Sequence, residues 1–154
     1  MISLFEADLA DDLHAAAVVE MLALLAESEF GRRNPMTAQE KRSLIPGLIR
    51  FPAKRIFLAS YRGRICGVAV CFLQFSTFSG REMLKIHDLF VLPEYRQQGL
   101  GRKLVEFAVQ HAREMNCAFV NIEVATDNQI AVALYQKLKF TAWLTPTRFL
   151  ELRL

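Results

Sequence analysis

A chain of 154 residues, 53% of them apolar, is long enough to bury roughly 70% of its unfolded surface in one core, which excludes a disordered or linker-like protein. The longest apolar run, Leu13 to Ala26, is broken by Glu20, and no Lys or Arg precedes Arg32, so neither a membrane-spanning helix nor a secretory signal is expected. The net charge of +3 is too mild to argue for nucleic acid. Three cysteines (Cys66, Cys71, Cys117) without a C-x-x-C argue against a metal site and for core thiols in a reducing, cytoplasmic compartment.

Met1 to Ala7 reads as a short strand. Asp11 or Asp12 can cap a helix running to about Ser28, with Leu13, Ala16, Ala17, Glu20, Met21, Leu24 and Leu25 near one stripe. Gly31 to Pro35 is a break. Thr37-x-x-Glu40 is a capping-box signature for a second helix, which Pro46 is expected to end or kink. Arg55–Tyr61 and Arg64–Phe75 form a hairpin about Arg62-Gly63, and a further turn over Phe75–Arg81 leads to a strand over Met83–Leu92. Leu100–Met115 is a strong helix, with Leu100, Leu104, Val105, Ala108, Val109 and Ala112 on one face. A strand over Ala118–Ala125, a helix over Asn128–Leu138 and at least one strand in Ala142–Leu154 complete the chain. The order β-α-α-β-β-β-α-β-α-β predicts one α/β (α+β) domain over residues 1–154, a mixed sheet with helices on its faces.

The chemistry concentrates in Val91-Leu92-Pro93-Glu94-Tyr95-Arg96-Gln97-Gln98-Gly99-Leu100-Gly101-Arg102. A strand stops at a proline, a polar loop follows, and Gly-x-Gly opens a helix whose free amides and positive dipole end suit an anion such as pyrophosphate. Leu104 stands where a dinucleotide fingerprint needs its third glycine. Arg102-Lys103-Leu104 breaks a Walker loop. What remains is R-x-x-G-x-G, carried by Arg96, Gly99 and Gly101.

That motif, between a strand and a helix over Leu89–Ala112, resembles the central motif of the GNAT superfamily of N-acetyltransferases. The following motif matches as well: Asn128, Ala131, Leu134-Tyr135 and Phe140. The resemblance implies a mostly antiparallel sheet of six to seven strands with four helices. It also implies acetyl-CoA as co-substrate, held by Phe90, Val91, Arg96, Gln97, Gln98, Gly99, Leu100, Gly101, Arg102, Asn128 and Tyr135. Tyr135, which alone would read as a packing residue, stands at the family position of the acid that protonates the departing thiolate. The amide near Val91 would polarise the thioester carbonyl. Two departures are visible. Lys139 replaces the usual glycine before the last aromatic, for which a changed local turn is expected, and Gln97 stands where many members have glycine.

His87 and Asp88 are the candidates for handling the amine. A neutral imidazole is a base near pH 7, and a carboxylate can bind an ammonium group. Neighbours on a strand face opposite ways, so both can serve one site only across a bulge. In the polyamine-acetylating branch the comparable positions are two acids. Glu27 and Glu29, in the acidic first part of the chain, are further candidates for attracting a cationic acceptor. The expected activity is acetyl transfer to a small cationic primary amine such as a polyamine, amino acid or related amine, and the resemblance also implies a homodimer. The competing readings are a protein N-acetyltransferase acting on an N-terminus or Lys, and a non-catalytic acyl-CoA-binding module.

Overall fold

The computed structural model describes residues 1–154. Its elements are β1 (Ile2–Glu6), α1 (Asp12–Glu27), α2 (Ala38–Arg50), β2 (Lys54–Tyr61), β3 (Arg64–Ser76), β4 (Arg81–Val91), α3 (Leu100–Glu114), β5 (Val120–Ile122) and α4 (Gln129–Lys137), with a single 3-10 turn at Pro93–Tyr95. The sheet order is β1-β2-β3-β4-β5. The first three pairings are antiparallel, and β4 with β5 is parallel, as the connecting α3 requires.

The local signals act as their chemistry dictates. The Asp11 carboxylate caps α1 by accepting from the amides of Leu13 and His14. Thr37 and Glu40 close a reciprocal capping box on α2. Arg62 and Gly63 take positive φ values of 50° and 83°, the left-handed pair that a tight hairpin needs.

The sheet is covered on both faces. Gly67 lies so close under α3 that a Cβ there would meet the Leu104 side chain at 2.9 Å. On that face Leu100, Leu104, Val105, Ala108 and Ala112 of α3 are buried, matching the expected stripe. Alternation from Gly67 turns Val68, Val70 and Phe72 to the other face, where α1 packs on β3 and β4 and α2 packs on α1. The α1 stripe differs from expectation. Met21 is buried as expected, but its buried companions are Val18 and Ala23, whereas Leu13 is 76% exposed. This helix is apolar nearly all round, so periodicity could not select its buried face.

Two further elements correct the sequence reading. α2 runs through Pro46 to Arg50 and does not end there, because tertiary burial of Leu48 outweighs the local cost of the proline. The sheet has five strands, not six or seven: the expected Ala118–Ala125 strand contracts to Val120–Ile122, and Ala142–Leu154 forms none. Leu150, Leu152 and Leu154 alternate with Glu151 and Arg153, yet alternation makes a strand only where a neighbour takes up its backbone groups. Three-residue β5 offers no such ladder here. The accessible surface is accordingly 10438 Å², against about 7,900 Å² expected for this mass.

The end of α4 also departs from expectation. Lys139 itself takes the left-handed conformation, φ 69°, so the turn is kept in spite of the missing glycine. The Phe140 amide donates to the Tyr135 carbonyl (2.9 Å) and the Lys139 amide to that of Gln136 (3.0 Å), a Schellman pair. The Phe140 ring then closes on the Tyr135 ring, with centroids 5.8 Å apart. Lys139→Gly relieves the left-handed strain and is expected to raise stability by about 1 kcal/mol, read by urea unfolding. An unchanged or lower midpoint counts against strain at this position.

Candidate active site

Strand β4 parts from its neighbour before it ends. Pairing with β5 covers Leu84, Lys85 and Ile86, while β4 continues to Val91 with no partner on that side. On the β3 side the Leu92 amide donates to Cys66 O at 2.9 Å. The alternation of an antiparallel ladder therefore turns the Val91 N–H and C=O toward the open edge. The Val91 carbonyl accepts Arg96 Nε at 3.0 Å, and the Arg96 guanidinium carbon lies 5.3 Å from the Phe90 ring centroid. Arg96 thus braces the loop against the strand that it leaves.

Within that loop Gln97 and Gly99 have φ values of 60° and 79°. Backbone anion nests are built from left-handed residues of this kind. A glycine at 97 would be unstrained, which gives a physical reason for the family preference there. Gly99 is the N-cap of α3 and supplies no side-chain cap, so the first amides of the helix stay open to a ligand. A Cβ on Gly101 would lie 3.9 Å from both Val91 and Leu134 side chains. The end of β4, the start of α3 and the middle of α4 therefore converge at Gly101. Arg96, Gln97, Gln98 and Arg102 are exposed around this point, and Leu100 is buried beneath it. Arg102 is partly neutralised by Glu106, Nε to Oε1 being 2.8 Å.

Tyr135 is only 8% exposed, and the burial of its ring pushes the phenol up to about 12. It stays protonated throughout the neutral range. Asn128 caps α4, its Oδ1 accepting from the Ala131 amide at 3.2 Å. Cys71 is fully buried and is also pushed up to about 12, first by burial and then by the charge of Asp88, so it carries no thiolate near neutral pH.

His87 and Asp88 are brought together by the one device that permits it. Val70 pairs with Asp88 and Cys71 with Ile86, so His87 is the extra residue of a β-bulge. The bulge sends both side chains to one side, and His87 Nδ1 lies 2.9 Å from Asp88 Oδ2. This contact raises the His87 pKa above its ordinary 6.5, the hydrogen bond to Asp88 outweighing desolvation. A base must be neutral to accept a proton, so its activity is lost as pH falls through that raised value. The acid limb of kcat/KM is expected above pH 6.5, and Asp88→Asn shifts it toward lower pH. A limb that ignores Asp88→Asn removes His87 from the proton path.

Both side chains line a cavity of about 950 Å³ between α1, α2 and the β3–β4 face. Sequence reasoning did not find several of its walls. Phe72 packs edge-on against His87 (5.4 Å) and against Phe51 (5.3 Å). Arg32 and Glu40 meet in a bidentate pair of 2.8 and 2.7 Å that ties the Gly31–Pro35 break to α2. The Glu40 carboxyl is held at about 2 by the Arg32 guanidinium and by the Thr37 amide. The capping box signalled Glu40 as a helix start, but nothing local signalled its tie to Arg32. Glu27 and Glu29 are exposed and lie outside the cavity lining.

A sheet splayed beside a Gly-x-Gly helix start, with a lined cavity on the adjoining strand, defines an acyltransferase architecture. The sequence profile of the acetyltransferase (GNAT) family matches residues 18–140, and the chain belongs to that family of N-acetyltransferases. It is 36% identical over 81 residues to an uncharacterized N-acetyltransferase of Archaeoglobus fulgidus, covering 52% of this chain and 55% of that one. It is 31% identical over 74 residues to a thialysine N-epsilon-acetyltransferase of Bos taurus, covering 48% and 43%. The matches thus span about half the length of these relatives. Among solved structures, an acetyltransferase of Trypanosoma brucei superposes with a TM-score of 0.73 at 25% identity, covering 99% of this chain and 100% of that one. An aminoglycoside acetyltransferase from an uncultured soil metagenomic sample shares the fold, with a TM-score of 0.80 at 17% identity and coverage of 99% and 96%.

Proposed function

We propose that this N-acetyltransferase transfers the acetyl group of acetyl-CoA directly to the primary amine of a small molecule held in the cavity beside His87 and Asp88. The observation that carries the reading is the bulge, which places an imidazole–carboxylate pair on the cavity wall and three residues, about 10 Å of strand, from the open Val91 amide. A cavity of about 950 Å³ suits a small ligand better than a folded protein surface.

The residues fit the co-substrate. Open amides at Gly99–Arg102 suit the pyrophosphate, and the free edge of β4 suits an extended amide-bearing arm. Acetyl-CoA supplies an activated acyl carbon, so that one C–N bond forms as one C–S bond breaks. Asp88 attracts the incoming ammonium, and His87 takes its proton. The Val91 N–H donates to the carbonyl oxygen as negative charge gathers there. Tyr135, held protonated by burial, gives its proton to the sulfur and is restored through solvent as the nitrogen releases its second proton on forming the amide. Cys71 has no part in this route.

The test is thiol release from acetyl-CoA with a panel of small amines and amino-terminal or Lys peptides. Release with small amines supports the reading. Release with peptides alone transfers the assignment to protein acetylation, and binding of acetyl-CoA with no release for any acceptor makes the chain a binding module.

A further inference from the structure

Acceptor selection follows from which charges in the cavity are already spent on the fold. Four ionisable side chains line it: Arg32, Glu40, His87 and Asp88. Arg32 gives both terminal nitrogens to Glu40, its Nε to Asn34 O at 3.1 Å and its Nη2 also to Pro35 O at 2.8 Å. Glu40 Oε2 accepts in addition from the Thr37 amide at 2.7 Å. Their opposite charges cancel, and drawing either side chain away from the other would loosen the start of α2. Ser43 is also engaged, donating to Gln39 O at 2.9 Å. One anionic group therefore remains for an acceptor, Asp88, with His87 attached to it.

Apart from the exposed Gln74, an uncharged amide, and two glycines, the rest of the wall is apolar. Nine of the seventeen lining residues are hydrophobic, among them Leu22 and Leu25 from α1, Leu44 from α2, Met36 before it, and the edge-on pair Phe51 and Phe72. A second ammonium lying on this wall would give up part of its hydration with no uncompensated carboxylate to replace it, which is unfavourable. An alkyl or aryl body would instead cover the leucines and the phenylalanine edges.

We infer that the acceptor class is a primary amine with a single cationic centre and an apolar alkyl or aryl body, not a polyamine or a basic amino acid. This rests on the proposed acetyl transfer and narrows its substrate.

The experiment uses two separate readouts on the full chain. Calorimetry in the presence of CoA measures binding of propylamine, butylamine, pentylamine and hexylamine, of phenethylamine, and of putrescine, spermidine and lysine. Thiol release from acetyl-CoA measures turnover of the same compounds. Binding is expected to tighten up to roughly fourfold per added methylene. Phenethylamine is expected to bind at least about tenfold more tightly than spermidine. Leu44→Glu, which adds a second carboxylate to the wall, is expected to reverse that order, and its retained heat stabilisation by CoA shows that the fold survives. A flat alkylamine series, or tighter binding of spermidine or lysine by the wild type, overturns the assignment of class while leaving acetyl transfer standing. The expected binding order with no turnover of any amine keeps the class and removes acetyl transfer.

Discussion

Tyr135→Phe is expected to lower kcat by roughly 10²–10⁴-fold while leaving acetyl-CoA affinity near that of the wild type. The substitution removes one oxygen from a ring that is otherwise buried and packed on Phe140. Its volume is conserved, so the Schellman turn and the position of α4 are retained. No hydrogen bond to another residue shifts the phenol; burial alone raises it, which leaves its proton for a ligand. A thiolate leaving without a donor would carry an unpaired charge, and that is the expected origin of the large factor. The check is steady-state turnover together with single-turnover rates, so that slow product release does not hide the chemical step. An unchanged single-turnover rate returns Tyr135 to the core.

Gly101→Glu is expected to abolish the stabilisation that acetyl-CoA or CoA gives against heat. For a wild type that binds the co-substrate, that stabilisation is expected to be about 2.7 kcal/mol at a ligand concentration 100 times Kd. A Cβ at this position enters the space between Val91 and Leu134 at ordinary contact distance, so the protein accommodates the first carbon. The carboxylate beyond it stands among open helix amides that the pyrophosphate would otherwise occupy, and it repels the phosphates as well. Gly101→Ala separates the two effects, since it adds the same first carbon without the charge and should retain most of the binding. Wild-type affinity in the Glu variant would mean that the anion sits elsewhere.

The parts of the fold that were legible in the sequence are those whose causes are local. Thr37 and Glu40 lie three residues apart and cap one helix. Arg62-Gly63 form a turn by themselves, and the α3 face repeats with a clean period. The Gly99–Gly101 turn belongs to the same kind, because glycine and a helix start are both read within a few residues. The misreadings share a different origin. The face of α1 and the passage of α2 through Pro46 were decided by what packs against them, not by the helices' own residues. The absence of a strand in Ala142–Leu154 depends on its neighbour, which pattern cannot supply. In the site, His87 and Asp88 were found as residue types, but their cooperation needed a register shift against Val70 and Cys71. The Arg32–Glu40 tie, which settles how much charge the cavity has left, joins side chains eight residues apart across a loop.

The bulge at His87 also divides β4 into two lengths of strand that are out of step. Before it, Leu84 and Ile86 are fully buried on the α3 face. Beyond it, Asp88 and Phe90 point to the α1 side, and the Val91 amide is aimed at the open edge. Simple alternation would have put Ile86 and Asp88 on the same face. Exchanging any one of these side chains leaves the stepping intact. Removing a single residue at 87 does not, because either the buried leucine and isoleucine turn over or the whole ligand-facing end does, amide included. The strand therefore tolerates changes of spelling but not of length, and the fixed quantity is the number of residues between Ile86 and Val91.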